Sequence, residues 1–313
     1  MPYNNIISRT DAQALIPEDV ATEIIQNTTK NSAALQLMRR VTMATNQQRM
    51  PVLSALPVAY FVNGDTGLKQ TTEVAWSNKY LNAEEIACIV PIPEAVLEDA
   101  NFDIWAEIRP KLEEAVGRTL DAAVFFGVNK PASWPTDIAA NAVSSGNVVA
   151  RGTAPASAGG IATDISDTMS KVEEDGFDVT GFVTTRSYRR FLRNARATDG
   201  QKLLDISLNT LEGESIVYAM GGLWPTGVNA AELFTGDWNQ FVLAVRRDMT
   251  YKLLDQAVIQ DNTGAIVYNL AQQDMVAMRL TFRAAWQVAN FITYEQQTEA
   301  SRYPVAVLRS PAV

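Results

Sequence analysis

From Asp103 to Phe126 the apolar residues Ile104, Ile108, Leu112, Val116, Leu120 and Val124 recur at every fourth position, joined by Trp105 and Ala123. Glu107, Lys111, Glu114, Arg118 and Asp121 fill polar positions between them. That spacing gathers the apolar side chains on one face of a helix. At ~1.5 Å per residue the helix would run ~36 Å. A rod of that length with one apolar stripe must be covered along its whole face, and nothing else in the chain constrains the fold as strongly. Pro110 near its start and Gly117 near its middle are the points where it can bend.

The covering layer is expected to be β-structure. Glu84 to Pro93 reads as a strand whose Pro91 and Pro93 favour an end or an edge, with Cys88 on its packed face. Val276, Met278, Leu280 and Phe282 alternate with Ala277, Arg279, Thr281 and Arg283 in a long strand from Met275 to Thr293. Further strands are expected at Arg49 to Leu53, Gly181 to Thr185, Glu214 to Tyr218, Gln240 to Val245 and Tyr251 to Ile259, and helices at Asp164 to Glu174 and Arg186 to Ala197. The fold class is α+β. Between Ile138 and Ile161 only Arg151 is charged, and small residues dominate, which marks a boundary or a flexible connection.

Two segments look unable to bury themselves. Pro17, Glu18 and Asp19 start a helix carrying Val20, Ile24 and Ile25, a narrow stripe in an N-terminal arm, and a second short helix is expected over Ala33 to Arg40. Asn63-Gly64-Asp65-Thr66-Gly67 is turn chemistry flanked by Tyr60-Phe61-Val62 and Val74-Ala75-Trp76. Tyr60 to Tyr80 therefore reads as a long two-stranded loop reaching ~30 Å. An isolated hairpin of that kind is marginal in water and needs a surface to lie on. Asn63, Gly64, Asp65, Lys69 and Trp76 are the residues expected to make that contact.

Chemistry is scarce. The 313 residues suggest about two domains, and 47% apolar with 19% charged residues predicts a folded chain. With no histidine, imidazole metal sites and imidazole acid–base catalysis are excluded. Cys88 is the single cysteine, so an intrachain disulfide is impossible, and a reducing compartment fits. Phosphate-cradling glycine loops, nucleophile elbows and calcium loops are missing, so no catalytic, cofactor or metal residue is assigned. Carboxylate runs such as Glu113-Glu114 and Glu173-Glu174-Asp175 read as solvated faces. The most apolar stretches, Ile86 to Pro93 and Ala122 to Val128, are far shorter than a bilayer span, and the chain is read as soluble and intracellular. A net charge of −9 opposes a nucleic-acid grip across the whole surface. Arg186, Arg189, Arg190, Arg193 and Arg196 nevertheless fall within ~120° of one helical face, opposite Tyr188, Phe191, Leu192 and Ala195. That stripe is a solvated face, a contact to an acidic subunit, or a lining for packaged nucleic acid.

Six motifs in order carry a family resemblance. The stretch Tyr80 to Asp103, with Ile-Val-Pro-Ile-Pro-Glu-Ala-Val-Leu-Glu-Asp-Ala at residues 89–100, resembles the strand, short helix and acidic residue that precede the long spine helix of tailed-bacteriophage major capsid proteins with the Hong Kong-type capsid fold. Asp121 to Gly127 is similar to the end of that helix, followed by Pro131 to Ile138. Asp199-Gly200-Gln201, Thr210-Leu211-Glu212-Gly213, Gly236-Asp237-Trp238 before Phe241-Val242-Leu243, and Asp274 to Arg283 fall where the family's later motifs fall.

The resemblance implies an N-terminal arm over 1–47, an extended loop over 57–80, and a peripheral domain from 48–56, 81–160 and 266–300. It also implies an axial domain over 161–265 and a C-terminal tail over 301–313. The implied function is structural: self-assembly into hexamers and pentamers of an icosahedral head enclosing double-stranded DNA without sequence specificity, built in the host cytoplasm. Implied partners are a separate scaffolding protein, a portal and decoration proteins, with no cofactor and no membrane. Some relatives join a loop lysine to an asparagine of another subunit, which singles out Lys69. In many relatives the spine helix bends before shell expansion, which makes Pro110 and Gly117 hinge candidates, although Gly117 equally suits a close packing neighbour. An encapsulin-like nanocompartment shell is the alternative within the same fold, and a soluble carboxylate hydrolase the alternative of a different class.

Overall fold

The structure, a computed structural model, describes residues 32–62, 68–69, 71–100, 103–196, 201–202 and 210–311. Its axis is the expected long helix, α3 in chain order, spanning Ile104–Phe126. Asp103 caps its start by accepting from the Trp105 and Ala106 amides, and Gly127 ends it in the left-handed conformation at φ 66°, a backbone state that costs glycine little. Before it come α1 (Ala33–Leu37), β1 (Arg39–Thr42), β2 (Gln47–Ala55), β3 (Ala75–Asn82), β4 (Glu84–Pro93) and α2 (Glu94–Asp99). After it follow α4 (Ile138–Ser144), β5 (Val148–Ala150), α5 (Ile161–Glu174), β6 (Gly181–Thr184), α6 (Arg189–Arg193), β7 (Thr210–Leu211) and β8 (Glu214–Tyr218). The chain continues through β9 (Ala231–Gly236), β10 (Phe241–Leu254), β11 (Val258–Gln260), β12 (Ile266–Asn269), β13 (Met275–Val288) and β14 (Val305–Arg309).

Two sheets organise these strands. One has the order β1-β10-β13-β4, with β4 at an edge, where Pro91 and Pro93 interrupt no second ladder. Its inner face supplies Leu243, Met278, Leu280, Phe282 and Trp286, which bury Leu112, Val116, Leu120 and Val124 of α3 in one core. The other sheet has the order β5-β14-β9-β6-β8-β7 and packs α5 and α6 over Ile165, Phe182, Leu192, Leu211, Ile216 and Leu233. Phe125, Phe234 and Trp238 join the two, with ring centroids 5.5 and 5.9 Å from Phe125.

Several expectations are corrected. Ile138 to Ile161 is no loose connection: it forms α4, whose Ile138 and Ala142 are fully buried, and β5, which pairs in parallel with β14. Small residues there permit close packing. The expected helix over Ala33 to Arg40 stops at Leu37, because Met38 turns extended and Arg39 enters β1. The expected strands Gln240 to Val245 and Tyr251 to Ile259 are largely one strand, β10, carried through Arg246-Arg247-Asp248 by register shifts after Val245 and Arg247. Residues 301–313 were expected as a tail, yet Val305 to Leu308 are fully buried between β9 and β5. Their continuous apolar run fits a strand covered on both faces. Gly236 permits that neighbour, since a Cβ there would lie 2.3 Å from the Pro304 carbonyl oxygen. The sheets also cut across the expected segments, as β10 falls within 161–265 but pairs with β13. The arm helix beginning at Pro17 lies outside the described residues.

Candidate assembly surfaces

The N-terminal segment is anchored on the long helix. Asp121, only 1% exposed, accepts hydrogen bonds from Ser32 Oγ at 2.5 Å, Ala33 N at 2.9 Å and Ala34 N at 3.1 Å. The carboxylate thereby satisfies amides at the start of α1 that have no helical partner of their own. Burial pushes the Asp121 carboxyl above its ordinary range, and the three donors act against that rise. One turn earlier, Gly117 leaves room for this anchor: a Cβ there would lie 3.3 Å from both Ser32 Cβ and Met220 Cε. A close packing neighbour therefore exists at Gly117. Pro110 lies inside α3. Tyr251 of β10 donates a short hydrogen bond to Glu113, tying α3 to the sheet, and burial followed by this bond pushes the phenol well up.

Among the described residues the backbone ladder of the extended loop is confined to its base, and beyond it the Val58 amide donates to Thr72 Oγ1 at 2.9 Å. β2 and β3 form a ladder from Gln47↔Asn82 to Ala55↔Ala75, seated by Met50, Leu81 and Ala83 on Val242, Ala244 and Ala285. The strand character expected at Tyr60-Phe61-Val62 is absent, and no cross-chain amide ladder is formed there. Asn63, Gly64 and Asp65 lie outside the described residues, while Lys69 is exposed. Phe61 is 103% exposed, Leu68 89%, Val58 68% and Trp76 67%. Large apolar side chains are thus concentrated in water along this loop and at the end of its ladder.

The arginine stripe is only partly assembled. The helix expected from Arg186 to Ala197 is a 3-10 turn, Arg186–Tyr188, followed by the five-residue α6. The chain leaves helix at Asn194, and Arg196 sits in a bridge to Lys202. Arg189 stacks over the Tyr218 ring at 4.7 Å, whereas Arg186, Arg190, Arg193 and Arg196 are exposed. Tyr188, Leu192 and Ala195 are buried as expected. Five arginines thus share a surface region without sharing one helical face.

A further apolar surface escaped sequence reasoning. β11 and β12 pair as a hairpin with Val258, Ile266, Val267 and Tyr268 exposed. Its signal was present in Asp261, whose side chain accepts from Thr263 and Ala265 as a turn residue does. Among the described residues no cluster of acids and cysteine is arranged to hold a metal. Burial raises the Cys88 thiol pKa, which suits a packing residue. No described helix is long and apolar enough to cross a membrane.

Comparison with known proteins agrees with the geometry. The phage capsid family model matches residues 12–292. The major capsid protein of Staphylococcus phage 80alpha is 23% identical over 291 residues, covering 92% of this chain and 86% of that protein. A solved structure from Microbacterium phage Oxtober96 superposes with a TM-score of 0.85 at 39% identity, covering 98% of this chain and all of the other. One from Mycobacterium phage Bobi gives 0.86 at 30% identity, covering 99% of this chain and 100% of the other. With a structural, non-enzymatic role and the fold that its spacing of motifs resembled, the chain belongs to the phage capsid family.

Proposed function

We propose that this major capsid protein closes into hexamers and pentamers of an icosahedral head around double-stranded DNA, bound without sequence specificity, and that the extended loop is the principal clasp between copies. The observation carrying this reading is that the ladder ends at Ala55 and Ala75, with Phe61 and Leu68 beyond it and Trp76 at its last rungs left in water on a single chain. A fold with full internal cores does not retain such residues for its own stability. In this reading α3 with the four-stranded sheet forms the peripheral domain, and the six-stranded sheet forms the axial domain at the capsomer centre. A separate scaffolding protein, a portal and decoration proteins complete the particle, which is assembled in the host cytoplasm. Lys69, exposed in this loop, is the lysine that a crosslink of the kind some relatives form would use.

Deletion of Gly64 to Thr71 tests the clasp. The deleted chain is expected to keep the circular-dichroism spectrum and melting temperature of the intact monomer while particle yield by sedimentation collapses. Shells of normal yield from the deletion would refute it.

A further inference from the structure

The outer face of the four-stranded sheet carries charge that a single chain leaves unbalanced. Along β13, Leu280 and Phe282 enter the core, so Arg279, Thr281 and Arg283 share the opposite face. The ladder sets Arg247 of β10 across from Arg283 and Lys252 across from Arg279. Side chains so paired start ~5 Å apart, and like charges directly opposite destabilise a sheet. Opposing charge is scarce. Glu85 reaches Arg283 at 3.9 Å while half exposed, and Arg283 donates to Asn46 at 2.8 Å. Among the described residues Arg247, Lys252 and Arg279 form no ion pair. Nε of Arg279 is buried without an acceptor.

The opposite imbalance lies beyond the end of β4. From Pro91 to Ile108 the sequence contains no lysine or arginine, but it contains Glu94, Glu98, Asp99, Asp103 and Glu107. On α2, Glu94, Glu98 and Asp99 are exposed, and among the described residues none of them is in an ion pair. Val96 is exposed among them. The two patches do not meet on one chain: Pro93, just before α2, pairs with Met275, four positions along β13 from Arg279. At strand rise that is ~13 Å.

We infer that Glu94, Glu98 and Asp99 of one copy dock on the row Arg247, Lys252, Arg279 and Arg283 of the next. Two different, complementary patches on the same chain make a head-to-tail contact, the type that closes into rings. Opposed potentials steer such an encounter and fix its register. The inference rests on the assembly reading above and gives it a second interface, separate from the loop. Duplex DNA is the rival occupant. The surface favours protein, because Ala87 and Ile89 of β4 lie exposed beside Thr281 and Arg279 as apolar ground suited to Val96, a feature a phosphate backbone does not use.

Charge reversal on the purified full-length chain decides the matter, with particle yield read by sedimentation and electron microscopy. Lys252→Glu with Arg279→Glu, and separately Glu94→Lys with Glu98→Lys, should each lower yield by about tenfold or more. All four changes together should recover most of the loss. A neutral variant, Lys252→Gln with Arg279→Gln, should raise the monomer melting temperature while lowering yield, a pair of opposite signs that misfolding does not produce. Wild-type yield from either reversal, or no recovery in the fourfold variant, would overturn the inference and leave the loop clasp standing. Loss of short-duplex DNA retention with unchanged yield would overturn it in favour of DNA. A wild-type chain that never assembles, even beside its scaffolding protein, would instead contradict the assembly reading itself.

Discussion

The long helix and the extended loop are built from the same kinds of apolar residue and meet opposite fates. Leu112, Val116, Leu120 and Val124 are closed off by the sheet of the same chain, whereas Val58, Phe61, Leu68 and Trp76 remain in water. The helix repeat from Leu112 to Val124 is matched by alternating partners at Met278, Leu280 and Phe282, so that part of it is buried on folding. The loop ladder stops at Ala55 and Ala75, and among the described residues no further strand pairs with the loop beyond it. One region therefore stabilises the monomer, and the other, in the reading proposed above, is contact area for a neighbour. Substitutions in the two should separate folding from assembly.

The largest effect on the isolated chain is expected at Leu120, which is fully buried against the sheet. Leu120→Ala should cost about 2–5 kcal/mol, seen in denaturant unfolding, with assembly lost as a consequence. Asp121→Ala comes next, since it strands the Ser32 hydroxyl and the Ala33 and Ala34 amides. A loss on the order of 3 kcal/mol is expected, with faster proteolysis ahead of Ala33. Phe61→Ala with Trp76→Ala should invert this pattern: monomer stability within about 0.5 kcal/mol of wild type, and particle yield reduced as for the loss of an interface anchor. Should the loop pair destabilise the monomer as much as Leu120→Ala, the division between the two regions fails.

Gly117→Ala sharpens the helix side. Helix propensity favours alanine by about 1 kcal/mol, but the new methyl meets Ser32 and Met220 at 3.3 Å, so a net change below about 1 kcal/mol is expected in the monomer. A hinge role would show separately, as a slower or faster shell expansion by light scattering at unchanged monomer stability. The smallest effect is expected from replacing Arg189, Arg190 and Arg193 by Gln. Arg190 and Arg193 are exposed and add little to folding, and the half-buried Arg189 loses only its stacking on Tyr218, so the main changes should be in salt-dependent particle stability or DNA content.

The difference between the two regions also explains what could be read from the sequence. The helix was legible because a fourfold repeat sustained over six apolar positions admits one geometry, and Asp103 and Gly127 marked both of its ends. β13 was legible from its alternation, although Thr281 and Ala285 on the outer face are buried as well. β14 was missed because Val305 to Leu308 is a short run behind Pro304, and only the pairing with β9 and β5 makes it a central strand. The arginine stripe was over-read: a periodicity of charges fits a helix, but Asn194 ends that helix before Arg196. The cationic row on β10 and β13 was invisible, since Arg247 and Lys252 face Arg283 and Arg279 only through a register set after two shifts. Local patterns reveal what a segment does alone, and cross-strand charge depends on pairing.

The account stands most directly on where the loop goes in an assembled particle. An electron-microscopy map of assembled shells should show residues 56–74 of each copy laid on an adjacent copy, with Phe61 and the neighbouring Trp76 of β3 excluded from solvent. Shells in which that loop projects into solvent, with Phe61 and Trp76 as exposed as they are on the single chain, would contradict it.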